Sequence, residues 1–204
     1  NSAIARPQPV DSGDPANAYG GGIAQSGGSL RLTNTRVARN ESEGAGGGLA
    51  VEGSATTHLQ DSTEVSRNLA ATHGGAITLA DNSALTVADV FIGNNTAAEG
   101  GGLFSDTAAA VSITSTLFKG NGANTNGGAL SLGSDSTTTL RNFSLIENTA
   151  QGDGGAVYMR SDSSDVVMDA TSILRNRAEG VGGAIANLSD TAAFIITNAL
   201  VDNN

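Results

Sequence analysis

One tetrad constrains this chain more than any other feature. Gly-Gly-(Gly/Ala)-(Ile/Leu/Val) occurs seven times, beginning at Gly20, Gly46, Gly74, Gly100, Gly127, Gly154 and Gly182. An apolar-x-x-Asn tetrad follows each, closing at Asn40, Asn68, Asn94, Asn121, Asn148, Asn176 and Asn203. Every link from such an Asn to the next tetrad is 6 residues, while tetrad-to-Asn distances vary between 20 and 22. One arm of the repeat is therefore fixed and the other accepts insertion. Repeats of 26 to 28 residues running from Gly20 to Asn203 predict a solenoid, in which each unit buries its apolar face on its neighbours.

Helical repeats fit poorly, because a Gly-Gly pair interrupts every unit and apolar residues do not recur at helical spacing. Short alternating runs such as Leu49-Ala50-Val51, Ile77-Thr78-Leu79, Leu130-Ser131-Leu132 and Val157-Tyr158-Met159 read as strands with one inward face. A second run carries Leu30/Leu32, Leu85/Val87, Val111/Ile113, Val166/Met168 and Phe194-Ile195-Ile196. A third places Val37, Val65, Phe91, Phe118, Leu145, Ile173 and Leu200 three residues before each Asn. Three short strands per unit predict a right-handed parallel β-helix of about seven coils over residues 20–204. At ~4.8 Å per coil the rod is ~30–35 Å long. Residues 1–19 contain Pro7, Pro9 and Pro15 and read as a leader or linker, able to dock on a coil or a neighbouring subunit.

Glycine suits the bends between sheets, where positive φ and close backbone approach are needed. The recurrent Asn residues suit strand ends, where Asn adopts the left-handed conformation, and their stacked amides would form a ladder. Asn40, Asn94, Asn142 and Asn187 also begin Asn-x-Ser/Thr sequences. Two of these are repeat-Asn positions, so the matches read as coincidental.

Only 15% of residues are charged and 3% aromatic, which fits a thin core of small and medium side chains. The net charge of −10, with Lys119 the sole lysine, argues against phosphate-backbone recognition and hence against nucleic-acid partners. There is no cysteine, so no disulfide or thiolate zinc site. No apolar run is long enough for a membrane-spanning helix.

The paired motifs resemble those of the chlamydial polymorphic outer membrane proteins and, more widely, of bacterial surface β-helix repeat proteins. Gly-Gly-Ala-(Ile/Leu/Val) is literal at Gly74–Ile77, Gly127–Leu130, Gly154–Val157 and Gly182–Ile185, and Phe-x-x-Asn at Phe91–Asn94 and Phe118–Asn121. The resemblance implies an exported, surface-displayed right-handed β-helix, often an adhesin passenger.

Parallel β-helices also include polysaccharide lyases and hydrolases, whose chemistry needs convergent carboxylates or a base with a cation. The only recurrence of that kind is Asp81, Asp106, Asp135, Asp162 and Asp190, following their tetrads by 6 to 8 residues. They read as repeated Asx-turns, with Ca2+ binding along an acidic stripe as the sharper alternative. His58 and His73 occupy non-equivalent positions, and Arg39, Arg67 and Arg175 precede their repeat Asn and should point outward. Phe104 and Tyr158 fall at outward-alternating sites, too few for an aromatic sugar platform. No catalytic residues are assigned. The expectation is an extracellular or cell-surface structural or adhesive protein, able to stack head to tail into filaments through uncapped end coils. A polysaccharide-active enzyme and a host- or cell-binding passenger, with a cell-surface or glycan partner, are the alternatives.

Overall fold

The computed structural model describes residues 20–106, 108–133, 137–160, 165–189 and 193–204. Its elements are all strands, paired in parallel, and they stack into a parallel β-helix. The expectation of a leader at residues 1–19 lies outside the described residues.

A single coil shows how the sequence builds the rest. Gly74 takes φ +61°, turning the chain into Ile77–Leu79 of the first sheet. Ala84–Ala88 then joins the second sheet, Phe91–Gly93 the third, and Thr96–Ala97 a fourth. The first three sheets have seven strands each and the fourth has six. Among the described residues this makes six four-stranded coils and a seventh that contributes three strands. Three strands per coil were expected from the sequence. The fourth has only two residues, too short to show alternation, and its inward side chain is Ser42 in the first coil and Ala in the next five.

The two tetrad glycines have different causes. The first residue of every tetrad has φ between +61° and +77°, a region costly for side-chain-bearing residues. The second packs backbone against backbone: a Cβ on Gly75 would lie 2.5 Å from Gly101 O and 2.6 Å from Thr96 O. The third needs only a small side chain, and four tetrads carry Ala there.

Inward residues stack in register through the coils. Leu49, Ile77, Leu103, Leu130 and Val157 form one row of the first sheet, all fully buried. In the second sheet Leu59, Val87, Ile113, Leu140 and Met168 do the same. Each buried Val, Leu, Ile or Met contributes about 1.5–3 kcal/mol, which lets a rod without tryptophan and with few aromatics hold a core.

The third-sheet row corrects the sequence reading at two places. Register pairs Val65 with Ile92 and Ile92 with Phe118, so Ile92 (fully buried) is the core residue, and Phe91 is only partly buried. Likewise Ile173 pairs with Val201 rather than Leu200.

The Asn ladder shifts by one residue at the same places. It runs Asn40, Asn68, Asn95, Asn121, Asn148, Asn176, Asn204. In each step the backbone N–H and Nδ2 of one Asn donate to Oδ1 of the next, as Asn95 does to Asn121 at 3.1 and 3.0 Å. The second Nδ2 hydrogen goes back to a carbonyl of the preceding coil, Asn95 Nδ2 to Val65 O at 3.0 Å. Left-handed φ belongs to the residue before the ladder Asn: Arg39, Arg67, Asn94, Gly120, Glu147, Arg175 and Asn203. Asn94 and Asn203 are therefore corner residues beside the ladder. Asn-Asn doublets satisfy both demands, which hid the register. With Asn95 as the ladder residue, the link to Gly100 is 5 residues, one shorter than in the other coils.

Candidate functional site

The richest cluster of side-chain chemistry lies on the outer face of the first sheet. Outward positions there run Thr78, Phe104, Ser131 and Tyr158 in register. Alternation in the sequence predicts exposed aromatics at Phe104 and Tyr158. Phe104 is instead 4% exposed and Tyr158 is half-buried.

The cover comes from neighbouring coils. The His73 ring lies on Phe104 with centroids 4.3 Å apart, tilted by 37°. Arg160 reaches over the same ring, its Cζ 4.8 Å from the centroid, and its Nη2 binds Asp106 Oδ1 at 2.9 Å. Gly133 lies between Asp106 and Arg160 in the stack and leaves the space Arg160 crosses, for a Cβ there would collide with Nη2. A guanidinium held over an aromatic face while paired to a carboxylate adds cation–π attraction to the ion pair. On the opposite rim Ser131 Oγ donates to Glu99 Oε1 at 2.6 Å. Burial raises the Tyr158 phenol above its usual value, Glu99 and Asp153 push the same way, and Arg160 opposes them. These contacts link His73 through Phe104 to Arg160 and Asp106, and Glu99 to Ser131. The cluster clamps the rims of the coils together, and it presents no exposed aromatic platform.

Of the acidic positions, Asp81 and Asp106 are described, and these two do not share a column. Ser105 pairs with Leu79, so Asp106 aligns with Ala80 and Asp81 is one position further on, in a left-handed turn. Asp81 instead acts on Glu52, whose carboxyl is raised first by burial and then by the Asp81 charge. Asp135, Asp162 and Asp190 lie outside the described residues. Among the described residues no three His, Cys, Asp or Glu side chains converge as metal ligands.

His58 stands outward on the second sheet between Arg31 and Thr86. Neither histidine forms an ion pair with a carboxylate among the described residues. Arg39, Arg67 and Arg175 share the exposed corner before the ladder, as expected. Arg175 and Lys119 flank Glu147 at 2.9 and 3.4 Å, and their hydrogen bonds, Arg175's foremost, hold that carboxyl below its usual range. Arg36 binds Glu64 at 3.1 Å. Exposed pairs of this kind stabilise weakly.

The seventh coil is the other notable surface. Ile173 is fully buried in its row, whereas Val201, one coil on, is 50% exposed. Met168 is fully buried and its register partner Ile196 is 37% exposed. Leu200, Ile195, Leu188 and Val181 add exposed apolar surface around this end. The ladder is polar along the rod: each step donates from one Asn to Oδ1 of the next, with Asn40 its first described member and Asn204 its last.

No helix among the described residues is long and apolar enough to cross a membrane. The fold defines the chain as a parallel β-helix repeat protein. Comparison with protein families, with curated proteins and with solved structures finds no match.

Proposed function

We propose that this chain is a non-catalytic structural and adhesive β-helix, exported to the cell surface or beyond, whose coils stack end to end with those of a second copy. The observation that carries this reading is the seventh coil, whose core-row side chains are exposed among the described residues. It presents core-row side chains Val201 and Ile196 beside an Asn204 N–H positioned to extend the ladder. The acceptor that would receive it, Asn40 Oδ1, stands at the opposite end of the rod. Two unlike but complementary faces give a heterologous contact, which does not close on itself and so builds a filament. Resemblance of the Gly-Gly-Ala and Phe-x-x-Asn motifs to those of bacterial surface β-helix proteins supports the exported, adhesive part of the reading.

The test uses the 204-residue polypeptide. Sedimentation velocity and negative-stain microscopy should show rods that lengthen with concentration, while Val201→Asp, placing a charge on the open face, should leave monomers. A polypeptide that stays monomeric at high concentration would overturn the stacking.

A further inference from the structure

A groove of about 390 Å3 crosses coils three to six on the outer side of the fourth sheet. Its floor is the outward row Thr96, Gly122, Thr149 and Arg177, aligned by register from coil to coil. Asn124, Gln151 and Glu179 form one wall. Gly122 opens it.

That glycine has no backbone reason to be there. Its φ is not positive, and a Cβ would meet nothing closer than Thr149 Oγ1 at 3.6 Å, ordinary contact. Glycine weakens a strand by leaving nothing to pack and a freer unfolded chain. The tetrad glycines answer to positive φ or to a clash. Gly122 answers only to the empty space above it.

The groove side chains share a second property. On the second sheet Arg31 Nη1 ties to Gln60 Oε1 of the next coil at 2.7 Å, an outward polar group engaged within the protein. The hydroxyls of Thr96 and Thr149, the amides of Asn124 and Gln151, and the charges of Arg177 and Glu179 make no hydrogen bond or ion pair to any described residue. They supply donors and acceptors in one concave place. Their charges cancel, and the chain as a whole carries −10, which repels polyanions. The volume lies within the range of small-molecule sites, about 300–1,000 Å3.

We propose that this groove binds a neutral saccharide, its hydroxyls bonded by Asn124, Gln151, Arg177 and Glu179 and one sugar ring seated over Gly122. This names a ligand for the adhesive half of the proposed function. It is independent of stacking, which sedimentation reads separately.

The experiment titrates 15N-labelled chain with glucose, galactose and mannose tetrasaccharides, with tetragalacturonate and a neutral hexapeptide as comparisons. Amide shifts confined to Gly122, Asn124, Thr149 and Gln151 with a neutral tetrasaccharide are expected. Gly122→Leu, which fills the groove, should weaken binding about tenfold or more with unchanged circular dichroism and melting temperature. Asn124→Ala and Gln151→Ala, both exposed, should each weaken it several-fold and decide the matter if Gly122→Leu misfolds. The proposal is overturned if no neutral tetrasaccharide shifts these amides, if shifts map elsewhere, if tetragalacturonate or the peptide binds better, or if the variants bind like the parent.

Discussion

Replacing Asn95 by Ala and, separately, Asn94 by Ala puts the ladder register to a quantitative test. The side chain of Asn95 makes four hydrogen bonds: it accepts from Asn68 N and Nδ2 at 2.9 and 3.0 Å, and donates to Val65 O and Asn121 Oδ1, both at 3.0 Å. Asn121 Oδ1 keeps a donor after truncation, because the Asn95 backbone N–H also reaches it at 3.1 Å. Asn68 fares worse. Its N–H and one Nδ2 hydrogen lose their acceptor at a site 2% exposed, where water does not replace it. Two stranded donors at about 1–3 kcal/mol each put the cost at about 2–6 kcal/mol. Asn94 is exposed at φ 56°, so its truncation only worsens a left-handed corner, by about 1 kcal/mol. Asn94→Gly should be neutral or stabilising, since Gly120 already occupies the equivalent corner. Urea unfolding followed by circular dichroism gives the order, provided the slopes agree among variants. A larger loss for Asn94→Ala than for Asn95→Ala would refute the register.

Three further outcomes follow from buried groups. Thr138 is 1% exposed with its hydroxyl unbonded between Val111 and Val166, so Thr138→Val should stabilise by about 1–2 kcal/mol in the same urea assay. Glu52 has a raised folded pKa, so its protonated form favours folding; that stability is present in acid and lost as pH rises through the folded pKa. Glu52→Gln should therefore raise the melting temperature at pH 7 and give no gain well below pH 4.5, read by calorimetry across that window. Gly75→Ala drives a Cβ into two carbonyl oxygens and should cost about 3 kcal/mol or more, whereas Gly122→Ala, at an uncrowded site, should gain about 0.5–1 kcal/mol.

The repeat was legible because both of its fixed parts answer to the backbone. A tetrad glycine at positive φ or against a carbonyl admits no substitute, so it recurs in every coil and marks the period. Inward rows were legible where both members are aliphatic, as at Leu85/Val87, and less so where Thr57 or Thr138 takes the first place. The doublet Asn94-Asn95 concealed the register because a left-handed corner and a buried amide ladder both select Asn. The fourth sheet escaped because two residues cannot alternate. Phe104 departs from its alternation for a different reason. Outward on a strand means away from the core, and only the rims of neighbouring coils decide whether that side is wet. The cover there comes from His73 and from Arg160, two coils distant, which no local pattern encodes.

The account rests on coils stacked in parallel and in register, and a distance ruler along one outer row measures that directly. Arg31, His58, Thr86, Ser112, Thr139 and Val167 succeed one another on the second sheet, and the chain has no cysteine to interfere with labelling. Spin labels on introduced cysteines at Arg31 and Ser112, three coils apart, should sit ~14 Å apart, and at Arg31 and Val167, five coils apart, ~24 Å. Dipolar spectroscopy on the diluted chain should return distances that grow by ~4.8 Å per coil. Distances that fail to increase with coil number, or that spread over a broad distribution, would contradict the stacked helix.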